Sequence, residues 1–177
     1  MKTEEVYIKS AKELRAGLPK LVTFLGIACI IWLITTNFFI PISEGILVGS
    51  VEALKIESLI TLIVIISLII LSFIESKKVA NALAGLLISY LSGEEIEPIR
   101  LKKLRVTFQS IIYVIPVYVS FVIFSKVIDQ IYPLLNSIIP IIIIVWIVVA
   151  FFLLAMVLGV EIEEMAKKLI EKRRKKV

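Results

Sequence analysis

Residues 75–105 read ESKKVANALAGLLISYLSGEEIEPIRLKKLR, the one long polar interruption in a chain otherwise built of apolar runs. Its first part, 75–92, carries Val79, Leu83, Leu86, Leu87 and Tyr90 at helical spacing, with no proline and no glycine before Gly85. An apolar span feeding into it is therefore expected to run on as one helix to Ser92. Asn81, Gly85 and Ser89 make a second stripe of small side chains, suited to a neighbouring helix. Gly93 is placed to end the helix as a C-cap. Glu94 and Glu95 ahead of Pro98 mark the start of the next, with proline in its first turn. Leu101, Leu104 and Phe108 give that helix its apolar face.

Apolar runs stand on both sides of this segment. Upstream, 56–74 carries only Glu57 as a charge, at its very end, and 21–40 carries none. Twenty helical residues cover about 30 Å, one hydrocarbon core. Downstream, 106–124 contains Pro116, where a kink is expected. The run 138–160 has neither a charged nor an amide side chain. The first connection, 41–58 (PISEGILVGSVEALKIES), is too polar for a span. Ile46, Leu47, Val51 and Leu54 suit the boundary of a short interfacial or re-entrant helix. Gly45 and Gly49 form a GxxxG pair, weak evidence outside a span. The second connection is 125–137 (SKVIDQIYPLLNS).

Composition agrees. The chain of 177 residues is 59% hydrophobic, against about 45–50% for a soluble domain. No room is left for a separate soluble domain. The first twenty residues mix acids and bases and offer no small-residue cleavage site, so a secretory leader is not expected. The first fifteen read instead as a short surface helix at headgroup level. Thr3 is its cap, Glu4 and Glu5 lie in its first turn, and Tyr7, Ala11, Leu14 and Leu18 form its apolar face. Cys29 is the single cysteine, inside an apolar run, and histidine is absent. An intrachain disulfide is impossible, and the commonest general base and metal ligand is missing. The richness in Ile, Lys and Glu resembles hyperthermophile usage.

Basic residues set the expected orientation. Eighteen of the twenty lie in 1–20, 75–105 and 161–177, and only Lys55 and Lys126 in the other connections. The positive-inside rule then places both termini and the middle segment in the cytoplasm of a multi-pass cell-membrane protein.

The middle also echoes the beginning. At an offset of ninety residues Glu4, Glu5, Lys12, Leu14 and Arg15 meet Glu94, Glu95, Lys102, Leu104 and Arg105, and Val6 meets Ile96. Lys77 and Lys78 meet Lys167 and Lys168. The reading is an internal duplication. Residues 1–92 are a first repeat: surface helix, spans 21–40 and 56–74, cytoplasmic extension. Residues 93–177 are a second: surface helix, spans 106–124 and 138–160, basic tail. Two spans per repeat keep both halves in the same orientation, so the repeats are parallel rather than inverted. The expected fold is all-α: four transmembrane helices as two hairpins with projecting cytoplasmic helices.

No catalytic set is found: no Walker-type loop, no CxxC, no HExxH, no nucleophile with a histidine. The chain is read as a non-enzyme, with no cofactor and no metal. Ser125, Lys126, Asp129 and Gln130 cluster at the outer end of the third span, and Thr35, Thr36 and Asn37 at that of the first. Ionisable groups at membrane depth are costly and usually functional. Thr35, Thr36, Asn37, Ser125, Asp129 and Gln130 are therefore the candidate lining of an outer vestibule, set against ordinary contact with headgroups and water. Glu161, Glu163 and Glu164 are the candidate acidic inner mouth, set against i,i+4 pairing with the lysines that follow, such as Glu164 with Lys168. Lys167, Lys168, Arg173 and Arg174 suit anionic lipid. The tail has no interleaved aromatics, so no nucleic-acid partner is expected. Two functions are weighed. One is a homo-oligomeric ion channel, with ions or membrane tension as the gating stimulus. The other is a membrane scaffold or accessory subunit whose cytoplasmic helices bind a partner protein.

Overall fold

The computed structural model describes residues 2–39, 51–91 and 96–174. Helix α1 is Thr3–Ile34 and closes in a π-helical turn, Thr35–Phe39. Helices α2, Val51–Leu91, and α3, Pro98–Ile112, follow. Then come α4, Val114–Ile131, and α5, Pro133–Arg174. Among the described residues there is no strand. Four stretches are long and apolar enough to cross a membrane: Thr3–Asn37, Ile60–Leu91, Pro98–Ser125 and Pro133–Val160. The all-helical membrane class is thus as expected.

Length alone puts parts of these helices outside the hydrocarbon. α2 has 41 residues and α5 has 42. At 1.5 Å per residue each is about 60 Å long, against a core of about 30 Å. Tilts of about 20° shorten the projection far too little to absorb the excess. α2 therefore continues through the polar segment to Leu91, as its uninterrupted stripe predicts. α5 likewise continues through the acidic and basic tail to Arg174.

Two expectations need correction. The surface helix and first span are not separate elements: α1 is one helix that passes through Pro19. Continuous packing on α2 outweighs the hydrogen bond that proline removes. Thr3 is the first helical residue and not the cap. Lys2 takes the cap position, without a side-chain cap hydrogen bond, while Glu4 and Glu5 do occupy the first turn. The face of α1 buried within the bundle is a different one from the apolar face assigned to the headgroup level. Val6, Ser10, Gly17, Leu21, Leu25 and Ala28 are buried, whereas Tyr7 and Leu18 are about half exposed. Small residues win because they let two backbones approach.

In the first connection, 51–58 belong to α2 rather than to a separate interfacial helix. Ile46, Leu47 and the Gly45–Gly49 pair lie outside the described residues, as do Gly93, Glu94 and Glu95. The break in the third span falls at Tyr113, three positions before Pro116. Pro116 has no N–H for the Ile112 carbonyl, so α3 ends at Ile112 and a new helix starts. Pro116 then sits in the first turn of α4, where an N–H is not needed, and is fully buried.

The core is three apolar clusters stacked along the bundle. At the polar end Val6, Ala84, Ile88, Ile96, Leu101 and Leu104 pack together, joined by Phe108, Val157 and Leu158. Leu21, Leu25 and Val79 follow, with Leu14, Leu83, Ile112 and Val119. Ala28, Ile65, Ile69 and Ile123 close the other end, with Ile31, Trp32 and Phe124. Leu101, Leu104 and Phe108 thus form the inward face expected for α3. The α1–α2 hairpin is the most closely packed pair, and α2 also packs on α3. α5 is the least covered, with 11% of its apolar window buried.

Candidate functional site

Polar side chains gather at the two ends of the stacked clusters. At the α1 C-terminus short polar side chains add donors to the last carbonyls, beside the Thr35 backbone N–H, which reaches those of Ile31 and Trp32. Thr36 Oγ1 donates to the Trp32 carbonyl at 2.9 Å and lies 3.4 Å from that of Leu33. Asn37 Nδ2 donates to the Leu33 carbonyl at 2.9 Å and is 3.4 Å from Thr36 Oγ1. Thr35 is the C-cap residue. On α4 Ser125 Oγ donates to the Val122 carbonyl at 3.0 Å. Asp129 is exposed, and its Oδ1 accepts from Asn136 Nδ2 at 3.4 Å across the Tyr132 turn. Gln130 lies on α4, one residue before Ile131.

These two groups share one end of the bundle. Trp32 and Phe124 pack on the same apolar cluster, and the two polar groups begin within a turn beyond those residues. The hydrogen bonds of Thr36, Asn37 and Ser125 run back to their own helices. They finish the helix ends and leave the hydroxyls with acceptor lone pairs for outside contacts.

At the opposite end Glu163 Oε1 is 2.7 Å from Lys167 Nζ, an i,i+4 pair on the exposed α5 extension. The hydrogen bond from Lys167, aided by its charge, holds the Glu163 carboxyl below its ordinary value of 4.5. The acid–base balance read for this segment is thus realised by Glu163 with Lys167. Glu161, Glu164, Lys168, Arg173 and Arg174 all lie on α5.

Sequence reasoning missed the most confined polar groups, which lie where α2 leaves its apolar stretch. Glu75 is 7% exposed, and Ser72 and Ser76 are fully buried. Lys78 Nζ donates to Glu75 Oε1 at 2.7 Å. The other carboxylate oxygen faces α1, where a Cβ built on Gly17 would stand 3.4 Å from it. The carboxylate thus lies between the two helices, at a distance where a methyl group on residue 17 would be in ordinary contact. Ser72 Oγ donates to the Ile69 carbonyl at 2.7 Å, while Ser76 Oγ makes no hydrogen bond. A turn further along α2, Gln109 Nε2 of α3 donates to Asn81 Oδ1 at 2.8 Å. On α3 the Arg105 Nε is also buried without a hydrogen bond. The available signal was that Glu75 is the first charge after an apolar run. Its burial depends on the packing of α1, which brings Gly17, nearly sixty residues away in sequence, against it.

Chemically, this arrangement places a charged pair at the edge of the bundle. The buried carboxylate is matched by a lysine whose side chain is 52% exposed, which carries the pair to the bundle surface. No protein-family profile, no curated protein and no solved structure matches the chain.

Proposed function

We propose that the chain is a subunit of a homo-oligomeric ion channel whose path runs between copies. The observation that carries this reading is the placement of two polar helix ends, Thr35–Asn37 and Ser125–Asp129, at one end of the bundle beyond one apolar cluster. Within one subunit the way onward is filled by Ala28, Ile65, Ile69 and Ile123 and then by Leu21, Leu25 and Val79. Close-packed aliphatic side chains leave no hydrated path through a single copy. A conducting path therefore needs a second copy to complete its wall. The sparse cover of α5 leaves a flank for lipid or for such a copy.

The parallel repeat belongs to this proposal. It is supported by the near-equal lengths of α2 and α5, 41 and 42 residues, each joining an apolar run to a polar extension. It is supported too by Val6 and Ile96, ninety positions apart and buried in the same cluster. Both termini and the 75–105 segment would then face the cytoplasm, as the basic residues require.

The scaffold reading has its own support. The polar end exposes large apolar side chains beyond the uncharged runs 58–74, 106–124 and 138–160: Tyr90 at 86%, Ile99 at 70%, Ile162 at 58% and Ile170 at 59%. Such residues on water-facing helix extensions suit a partner protein.

Ion flux into liposomes containing only the purified protein separates the two. Flux whose selectivity changes with Asp129→Asn supports the channel. Absence of flux together with a monomer in nanodiscs rules it out. On the scaffold reading, removal of 161–177 abolishes capture of the partner and leaves membrane insertion intact.

A further inference from the structure

We propose that the exposed face of α1 and α2 walls a water-filled inner vestibule whose excess positive charge admits anions. The ion class rests on the channel reading above, and the presence of water does not. Depth carries the inference. The uncharged runs 106–124 and 138–160 are bounded on the polar side by Arg105 and Glu161. Leu101, Leu104, Val157 and Leu158 pack in one cluster with Val6, Ala84 and Ile88. That level is therefore the inner edge of the hydrocarbon for α3 and α5. The uncharged runs of α1 and α2 stop short of it. Ser10 faces Gly85. Leu21, where the first run begins, lies eleven residues beyond Ser10, and Glu75, where the second run stops, lies ten before Gly85. At 1.5 Å per residue both ends fall about 15 Å inside the edge set by the other helices.

Contacts across the bundle agree with this offset. Gln109, near the start of the third run, bonds to Asn81. The rings of Phe73 and Tyr113 lie 5.9 Å apart. Gly17 faces Glu75, Lys78 and Val79. Counted back from the shared cluster, Lys77 and Lys78 fall level with Val148 and Val149 of α5, which runs in the same direction. Both valines are exposed, as hydrocarbon allows. Lys20 and Lys77 are exposed too, and the Lys78 side chain is 52% exposed. One depth thus presents valines on α5 and ammonium groups on α1 and α2.

Lysines near a boundary reach back to the headgroups along a four-carbon stem of roughly 6 Å. That is well short of the offset here. Lys78 also points the other way. Its Cα–Cβ bond tilts toward the α2 N-terminus, and its Nζ meets Glu75 Oε1 at 2.7 Å, one turn deeper. An exposed ammonium at this depth is stable beside water and costly beside lipid tails. On α1 the positions Lys9, Glu13, Ala16 and Lys20 recur at helical spacing, a stripe without large apolar side chains that runs from the edge to the deepest cation. Over this depth α1 and α2 carry Lys12, Arg15, Lys20, Lys77 and Lys78 against Glu13 and Glu75, while the runs 106–124 and 138–160 carry no charge. A narrow water space between low-dielectric walls focuses such a field and concentrates ions of opposite sign, here anions.

The test has two readouts, both on the full-length protein in liposomes. The first places Lys20→Cys, Ala16→Cys or Val149→Cys in a Cys29→Ser background and adds a charged, membrane-impermeant thiol reagent to both faces of the bilayer. The thiolate is the reacting form and is disfavoured in apolar surroundings, so Lys20→Cys and Ala16→Cys should react at least about tenfold faster than Val149→Cys. Ala16→Cys decides the matter if Lys20→Cys does not fold. Rates as slow as that of Val149→Cys overturn the proposal. So does a Val149→Cys as fast as the others, which would put α5 in water as well. The second readout compares chloride with potassium flux. Chloride should dominate, and Lys20→Glu or Lys77→Glu should lower the ratio several-fold. Cation-selective flux, or a ratio unmoved by both variants, overturns the anion assignment while the channel reading stands. Absence of flux from the unmodified protein sinks the channel reading instead, and the ion class with it.

Discussion

Gly85 offers the sharpest test of how α1 and α2 pack. A Cβ built on Gly85 overlaps Ser10 Oγ and stands 3.0 Å from Ser10 Cβ. Rotating the serine about χ1 relieves the first contact but not the second. Carbon atoms in contact normally sit about 3.5–4.0 Å apart, so Gly85→Ala must push the helices apart by about 0.5 Å or more. Overpacking of this kind costs typically about 1–3 kcal/mol. The alanine recovers about 1 kcal/mol of helix propensity. The net is a loss of about 0–2 kcal/mol, too broad to interpret from one variant. A cycle with Ser10→Gly removes the ambiguity. Without the serine side chain the nearest of the three known neighbours left to the new methyl is Val6 Cγ1, at 3.6 Å, an ordinary contact. Gly85→Ala should then be neutral or stabilising, and the coupling should be about 1–3 kcal/mol. Gly26 and Gly159 are the references, because a Cβ at either meets nothing within 4 Å. The assay is reversible unfolding in mixed micelles followed by circular dichroism. Coupling within about 0.5 kcal/mol of zero, or a Gly85→Ala no worse than Gly159→Ala, would refute the proposed close approach.

Three further outcomes are expected. Truncating Asn81 and Gln109 singly and together should give a coupling of about 0.5–1 kcal/mol in the same unfolding assay, the worth of one partly buried amide bond between membrane helices. Lys78→Met should destabilise by about 1–2 kcal/mol, discounted for the half-exposed lysine, because it strands the Glu75 carboxylate. Adding Glu75→Gln should restore most of that loss. Glu163 has a lowered folded-state pKa, so its contribution to tail helicity is full above 4.5 and fades as pH falls through the lower folded value. An NMR titration of the Glu163 carboxyl should show a midpoint below 4.5 that rises in Lys167→Gln.

The candidate site was only partly legible in the sequence. The polar ends of the first and third spans are visible as Thr35, Thr36, Asn37, Ser125 and Asp129 interrupting apolar runs. Their use is not visible, since whether a hydroxyl faces a lumen or its own helix carbonyl depends on a rotamer. Thr36, Asn37 and Ser125 take the carbonyl. Asn136 was read only as part of a connection, yet it reaches Asp129 across the turn at Tyr132. In the sequence Glu75 and Arg105 are simply the two ends of the polar segment. Helix packing makes them the confined ones.

Sequence alone determined the membrane class, the number of apolar runs and the continuity of α2 and α5. Each follows from local facts: the length of an uncharged run, the periodicity of its side chains, and the absence of a helix breaker. Helix starts were legible at Pro98, and the disruption by Pro116 to within three residues of the break. Tertiary structure alone decided that α1 is one helix through Pro19 and that its buried face runs through Ser10 and Gly17. It also decided that the carboxylate of Glu75 lies against α1. These depend on contacts such as that of Ser10 with Gly85, in which a small residue on one helix admits a specific group on another. A periodic pattern shows which face of a helix is apolar. How near the next helix can come is set by the side chains of both, and that distance selects the face that is finally buried.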